Sequence, residues 1–126
     1  MLLTVTKRVE DDIGILELSG ALTLGPSLVG LRNNARQLIE GHKLHGLIVQ
    51  VGAVTQIDSS GLGELTVVYS FATKRGCPLR LVNVKPELRK MLELTRLDGL
   101  LPSAGDISAA KNEMRKNSAK RASSPE

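Results

Sequence analysis

Aromatic residues are almost absent: the 126-residue chain holds one Phe, one Tyr and no Trp. A core built without rings must be aliphatic, and the stacking platforms that read single-stranded nucleic acid are excluded with them. A single cysteine, Cys77, excludes an intramolecular disulfide and suits a reducing compartment as an inert, partly buried thiol. Nowhere does the chain reach the roughly 18 consecutive apolar residues of a membrane span. Its start, Met1-Leu2-Leu3-Thr4-Val5-Thr6-Lys7, lacks the basic-then-apolar order of a secretory leader. A soluble, cytoplasmic protein without membrane insertion is expected. Also missing are the G-x-S-x-G nucleophile elbow, the G-x-x-x-x-G-K-S/T phosphate loop and the G-x-G-x-x-G dinucleotide fingerprint. His42 and His45 lack the cysteine or carboxylate cluster that would complete a metal site, and are expected to lie in an exposed loop. Neither an enzyme nor a cofactor or metal is anticipated.

What the chain does have is aliphatic periodicity and a modest positive charge, +4 overall. Most of that charge sits at one end. Residues 111–126 carry Lys111, Arg115, Lys116, Lys120 and Arg121 against Glu113 and Glu126, a local +3. With so few apolar residues this segment reads as a solvated, disordered tail, because little burial is available to offset its ordering entropy. The expected organisation is one domain over 1–110 and a basic tail over 111–126, without specific nucleic-acid binding.

Leu3, Val5 and Val9 alternate with Thr4, Thr6 and Arg8, the period of a half-buried strand. Glu10-Asp11-Asp12 turns the chain into a second strand from Ile13 to Ser19, making a hairpin that Gly20 closes. Gly25-Pro26-Ser27 opens a helix with Leu28, Leu31, Ala35, Leu38 and Ile39 at helical spacing, stopped at Gly41. Gly46 to Val51 is nearly continuously apolar, as a central strand buried on both faces should be. A second helix carries Leu62, Leu65, Tyr69 and Ala72, with Val67, Val68 and Phe71 read as core. Leu79 to Val84 forms another strand, Pro86 opens a third helix with Leu88, Met91 and Leu92, and Leu100-Leu101 adds a brief edge strand. Right-handed crossovers then place helices against a mixed sheet.

One segment is chemically distinctive: Asp58-Ser59-Ser60-Gly61-Leu62-Gly63, between the central strand and the second helix. Asp and Ser accept hydrogen bonds from the unpaired amides of a first helical turn, so any one of them would serve as a cap. Three together, followed by two glycines that weaken the helix, exceed what capping requires. The glycines point to a backbone that another surface approaches closely. A phosphate on a serine here would add about −1.5 to −2 charges at the junction, enough to expel an apolar partner without refolding.

This hexapeptide, in its strand-to-helix setting, resembles the signature of the STAS family, which includes bacterial anti-sigma factor antagonists. The hairpin, Ser19-Gly20, Pro86 with Leu88 and Leu92, and Leu97-Asp98-Gly99-Leu100 extend the resemblance over roughly residues 3–110. It implies an α/β fold, a mixed four- to five-stranded sheet with helices packed on one side, without catalytic activity. It further implies that Ser59 is phosphorylated by an ATPase-fold serine kinase that is also the anti-sigma factor. The unphosphorylated form would bind that kinase and release a sigma factor, and a PPM-type phosphatase would restore it. Asp58 would position the site, Ser60, Gly61 and Gly63 would shape the loop, and Leu62 would meet the partner, in a monomer or weak dimer. Many phosphorylatable members carry Gly-Glu-Leu-Asp at the end of the second strand, where this chain has Gly20-Ala21-Leu22-Thr23. Thr23 is left as a possible cap without charge. The alternative is therefore a non-phosphorylated structural STAS subunit of a signalling or lipid-transport complex.

Overall fold

The structure, a computed structural model, describes residues 2–123, with side chains through Lys116. The chain opens with β1 (Thr4–Glu10) and β2 (Ile13–Leu22), antiparallel and joined through Asp11 and Asp12. Both aspartates have positive φ, a left-handed backbone that short polar side chains tolerate in tight hairpins. Helix α1 (Ser27–Gly41) then carries the chain to β3 (Gly46–Ile57), α2 (Ser59–Lys74) to β4 (Leu79–Val82), and α3 (Pro86–Leu94) to β5 (Ser103–Ala104). Among the described residues these strands form one sheet in the order β1-β2-β3-β4-β5, with every pairing after the hairpin parallel.

Strand alternation sorts the core into two faces. Leu16, Leu18 and Leu22 of β2, Leu47, Val49 and Val51 of β3, and Leu79 and Leu81 of β4 face α1, α2 and α3. Those helices contribute Leu31, Ala35, Leu65, Val68, Leu88 and Leu92, and the layer is aliphatic as expected. Cys77 is buried, and burial pushes its thiol up to about 11, which leaves it unreactive.

The opposite face departs from the expectation that helices lie on one side. Ile13, Ile15, Ile48 and Val82 point there and are covered by α4 (Ile107–Ser123). Over residues 111–123 the chain is helical where a disordered tail is expected. Ile107, Ala110 and Met114 recur at helical spacing and supply the missing apolar stripe, with Met114 seated on the backbone of Gly46. Charges counted as solvated are used as ties instead. Lys111 bonds Glu10, Arg115 bonds Asp11 at 2.7 Å, and Arg80 bonds Glu113 at 3.0 Å. The boundary expected at 110 therefore falls inside a helix, and residues 124–126 lie outside those described.

Strand limits also differ, with β4 ending at Val82 rather than Val84. Strand β3 extends six residues beyond Val51, because Ala53 to Ile57 stay paired with Ser19 to Leu22 across two register shifts, each with an extra residue on the β3 side. The second shift, which skips Thr55 of β3, lies opposite Gly20, whose φ of 99° only glycine adopts without strain, and β2 continues past Gly20 to Leu22 rather than ending there. The edge strand falls at Ser103–Ala104, while Leu101 turns into the core.

Candidate functional site

The long β3 delivers Asp58 to the carboxyl end of the sheet, beside the end of β2. Asp58 is extended, with φ −124°, and caps α2: its Oδ1 accepts the Gly61 amide at 2.9 Å. Its Oδ2 accepts the Leu24 amide at 3.0 Å, from the loop joining β2 to α1. One carboxylate thus fastens two segments 34 residues apart. These donations, Leu24 first, then Gly61, with Ser60 adding to them, hold the Asp58 carboxyl below the usual carboxylate range against the opposing effect of desolvation.

A lowered native pKa means that the unfolded state binds the proton more readily. The stability it contributes is complete above the unfolded carboxylate pKa and is lost as pH falls through the native one. Asp58→Asn should consequently flatten the stability profile below about pH 4. Urea midpoints of both proteins at stepped acidic pH check this, and parallel profiles would refute it.

The two glycines do different things. A Cβ built on Gly61 would lie 1.8 Å from the Leu22 carbonyl oxygen, so α2 begins in direct contact with the backbone of β2. On Gly63 a Cβ would meet nothing within 4 Å. The close approach expected of both is therefore internal at Gly61, and at Gly63 the space is open. Leu62, expected to meet the partner, is buried in the core. Val68 is core as expected, whereas Val67 is 40% exposed and Phe71 half-buried.

The adjacent serines also part company. At 3.6 residues per turn, Ser59, Gly63, Val67, Ser70 and Lys74 fall on one lane of α2, and all five are exposed. Ser60 is half-buried on the flank that turns towards α1, one turn ahead of Glu64. Glu64 accepts both Arg32 Nε and Nη2, a two-pronged pair linking α1 to α2. Thr23 is half-buried and lines an open depression of about 580 Å³ with Thr55, Gln56, Ile57, Lys90 and Met91.

Sequence reasoning missed two residues beside this site. Leu24, whose amide Asp58 holds, is 77% exposed, and Leu94 on the rim of the depression is 75% exposed. A signal for Leu94 was available: it falls off the Leu88–Leu92 stripe of α3. His42 and His45 are exposed before the start of β3, at the opposite end of that strand from Ser59.

With this geometry in place, the comparisons converge. The STAS domain family is matched over residues 4–112, and the chain belongs to it. A candidate anti-sigma factor antagonist from Thermotoga maritima superposes with a TM-score of 0.79 at 21% identity, covering 88% of this chain and 94% of that one. An RsbS variant from Moorella thermoacetica gives 0.80 at 19% identity, covering 91% of this chain and 97% of the other. The anti-sigma factor antagonist SpoIIAA in its unphosphorylated form gives 0.73 at 18% identity, covering 90% and 96%. At these identities the likeness is one of fold. Among the described residues no helix is long and apolar enough to cross a membrane.

Proposed function

We propose that this protein is a cytoplasmic anti-sigma factor antagonist that acts by binding and is switched by phosphorylation at Ser59. Unphosphorylated, it engages an ATPase-fold serine kinase that is also the anti-sigma factor, and a sigma factor is released. Phosphate on Ser59 ends that complex, and a PPM-type phosphatase restores it. The observation that carries this reading is the placement of Ser59, exposed at the first residue of α2 directly after a clamped cap, while Ser60 is half-buried.

Physical chemistry supports a binding switch at this position. The Asp58 carboxylate already occupies the Gly61 and Leu24 amides. A phosphate on Ser59 would find fewer free donors than a bare helix end offers, and its charge would face outward. The exposed side chains of Leu24 and Leu94 nearby are suited to an apolar footprint that such a charge would expel. The fold itself has no reason to change.

Thr23 favours a second reading. It stands where many phosphorylatable relatives carry an acid, so the chain also suits a structural subunit that stays unphosphorylated in a signalling or lipid-transport assembly. One experiment separates the two. The protein is incubated with ATP and each serine-kinase anti-sigma candidate of its source genome, then analysed by intact mass and site mapping. A single added phosphate on Ser59, lost in Ser59→Ala, is expected. Stable complex formation without phosphate transfer would replace the switch by the structural subunit.

A further inference from the structure

Between α1 and α2, about 12 Å along the helix from Ser59, lies a notch that the phosphorylation site does not use. Its floor is Ala35, Val68 and Phe71, and its rim is Arg32, Arg36 and Val67. It encloses about 110 Å³, roughly four waters' worth of volume, the bulk of one aliphatic side chain. Val29, 57% exposed on the same side of α1, continues its apolar border.

The charge around this notch is not balanced. Arg32 is paired with Glu64, and Arg75 with Glu40 at 3.5 Å. Arg36 has no carboxylate within 4 Å among the described residues; its guanidinium stands 5.8 Å from the Phe71 ring, whose other close cation is Arg75 at 3.8 Å. A half-buried ring in reach of two guanidiniums, one of them without a carboxylate partner among the described residues, forms an apolar socket with a positive rim. The lane from Ser59 through Gly63 to Val67 leads straight to it. Gly63 has no side chain to block a partner's backbone along the way.

We propose that this notch is the second anchor of the partner surface: it takes an aliphatic side chain flanked by carboxylates, presented by a helix of the same protein that covers Ser59. This inference rests on the partner-switching reading above and assigns the chemistry of the partner's contact. The socket supplies the apolar anchor, and the arginine rim selects acidic flanks and rejects basic ones.

The test uses the full-length chain, isotope-labelled, titrated with a capped Ala/Gln helical peptide that carries one leucine with glutamate a turn to either side. Saturable shifts confined to Val67, Phe71, Arg36 and their neighbours are expected. Arg36→Glu and Val67→Glu, both surface changes, should each weaken the peptide about tenfold at low salt. Replacing the peptide's leucine by serine should do the same. Scattered or absent shifts, or indifference to Arg36→Glu, would overturn the proposal. Ser59 phosphorylation and kinase affinity are measured on the same proteins. If Ser59 is phosphorylated while both variants bind the kinase as wild type does, the notch is wrong and the switch stands. A peptide seated in the notch without any kinase acting on Ser59 would leave the socket and remove the switch.

Discussion

Gly61→Ala should be among the most damaging single-methyl additions in this protein. The new Cβ would fall 1.8 Å from the Leu22 carbonyl oxygen and 2.7 Å from its carbonyl carbon, and neither is the end of a flexible side chain. Relief requires α2 to withdraw from β2, which breaks the Asp58 cap and lifts Leu62 and Leu65 from the core. Overpacking a well-filled interior costs about 1–3 kcal/mol, and a backbone collision belongs at or above the top of that range. The melting temperature should fall by about 10 °C or more. Gly63→Ala is the matched control, since its Cβ meets nothing. It should stabilise the helix by up to about 1 kcal/mol. Thermal and urea unfolding of the pair decide the matter. A Gly61→Ala protein within about 1 kcal/mol of wild type would mean that α2 does not start where the structure puts it.

Ser59→Asp should abolish most partner affinity while leaving the fold intact. Ser59 is exposed and donates to nothing the fold depends on, so its replacement has little to disturb. Against a docked kinase the same change buries an unpaired negative charge beside Asp58, and such a juxtaposition costs several kcal/mol at an interface. About a hundredfold loss in affinity follows from roughly 2.7 kcal/mol. Ser59→Ala should bind like wild type and resist inactivation by ATP. Calorimetric titration against the kinase identified by phosphate transfer gives the numbers. An aspartate variant that binds within about threefold of wild type would show that charge at Ser59 does not govern the complex.

Much of this architecture is legible in the residue order, because burial imposes a period on each element. The Leu28–Leu31–Ala35–Leu38 stripe of α1 and the apolar run at the start of β3 each match one solution, and β1 is a strand as its alternation implies, although Val9 is exposed rather than on a buried face. The hexapeptide after β3 likewise falls at the strand-to-helix junction where its residue order puts it. What the sequence conceals depends on partners far along the chain. Helix α4 looks like a polar tail because its stripe is only Ile107, Ala110 and Met114, and its cations read as solvated until Glu10 and Asp11 are seen beneath them. The division of labour between Gly61 and Gly63 is hidden for the same reason. It depends on where β2 ends, and no local pattern reports that. For Leu62 the family resemblance implies a partner contact while the helical pattern with Leu65 and Ala72 implies burial, and burial is what the structure has.

The two faces of the sheet give the molecule a front and a back. Ser59, Gly63 and Val67 sit on the front with α1 and α2, while α4 crosses the back, anchored by Met114 on Gly46. A fold divided in this way leaves the α1–α2 side clear of the helix that closes the other face of the sheet, so either face can be altered without touching the packing of the other.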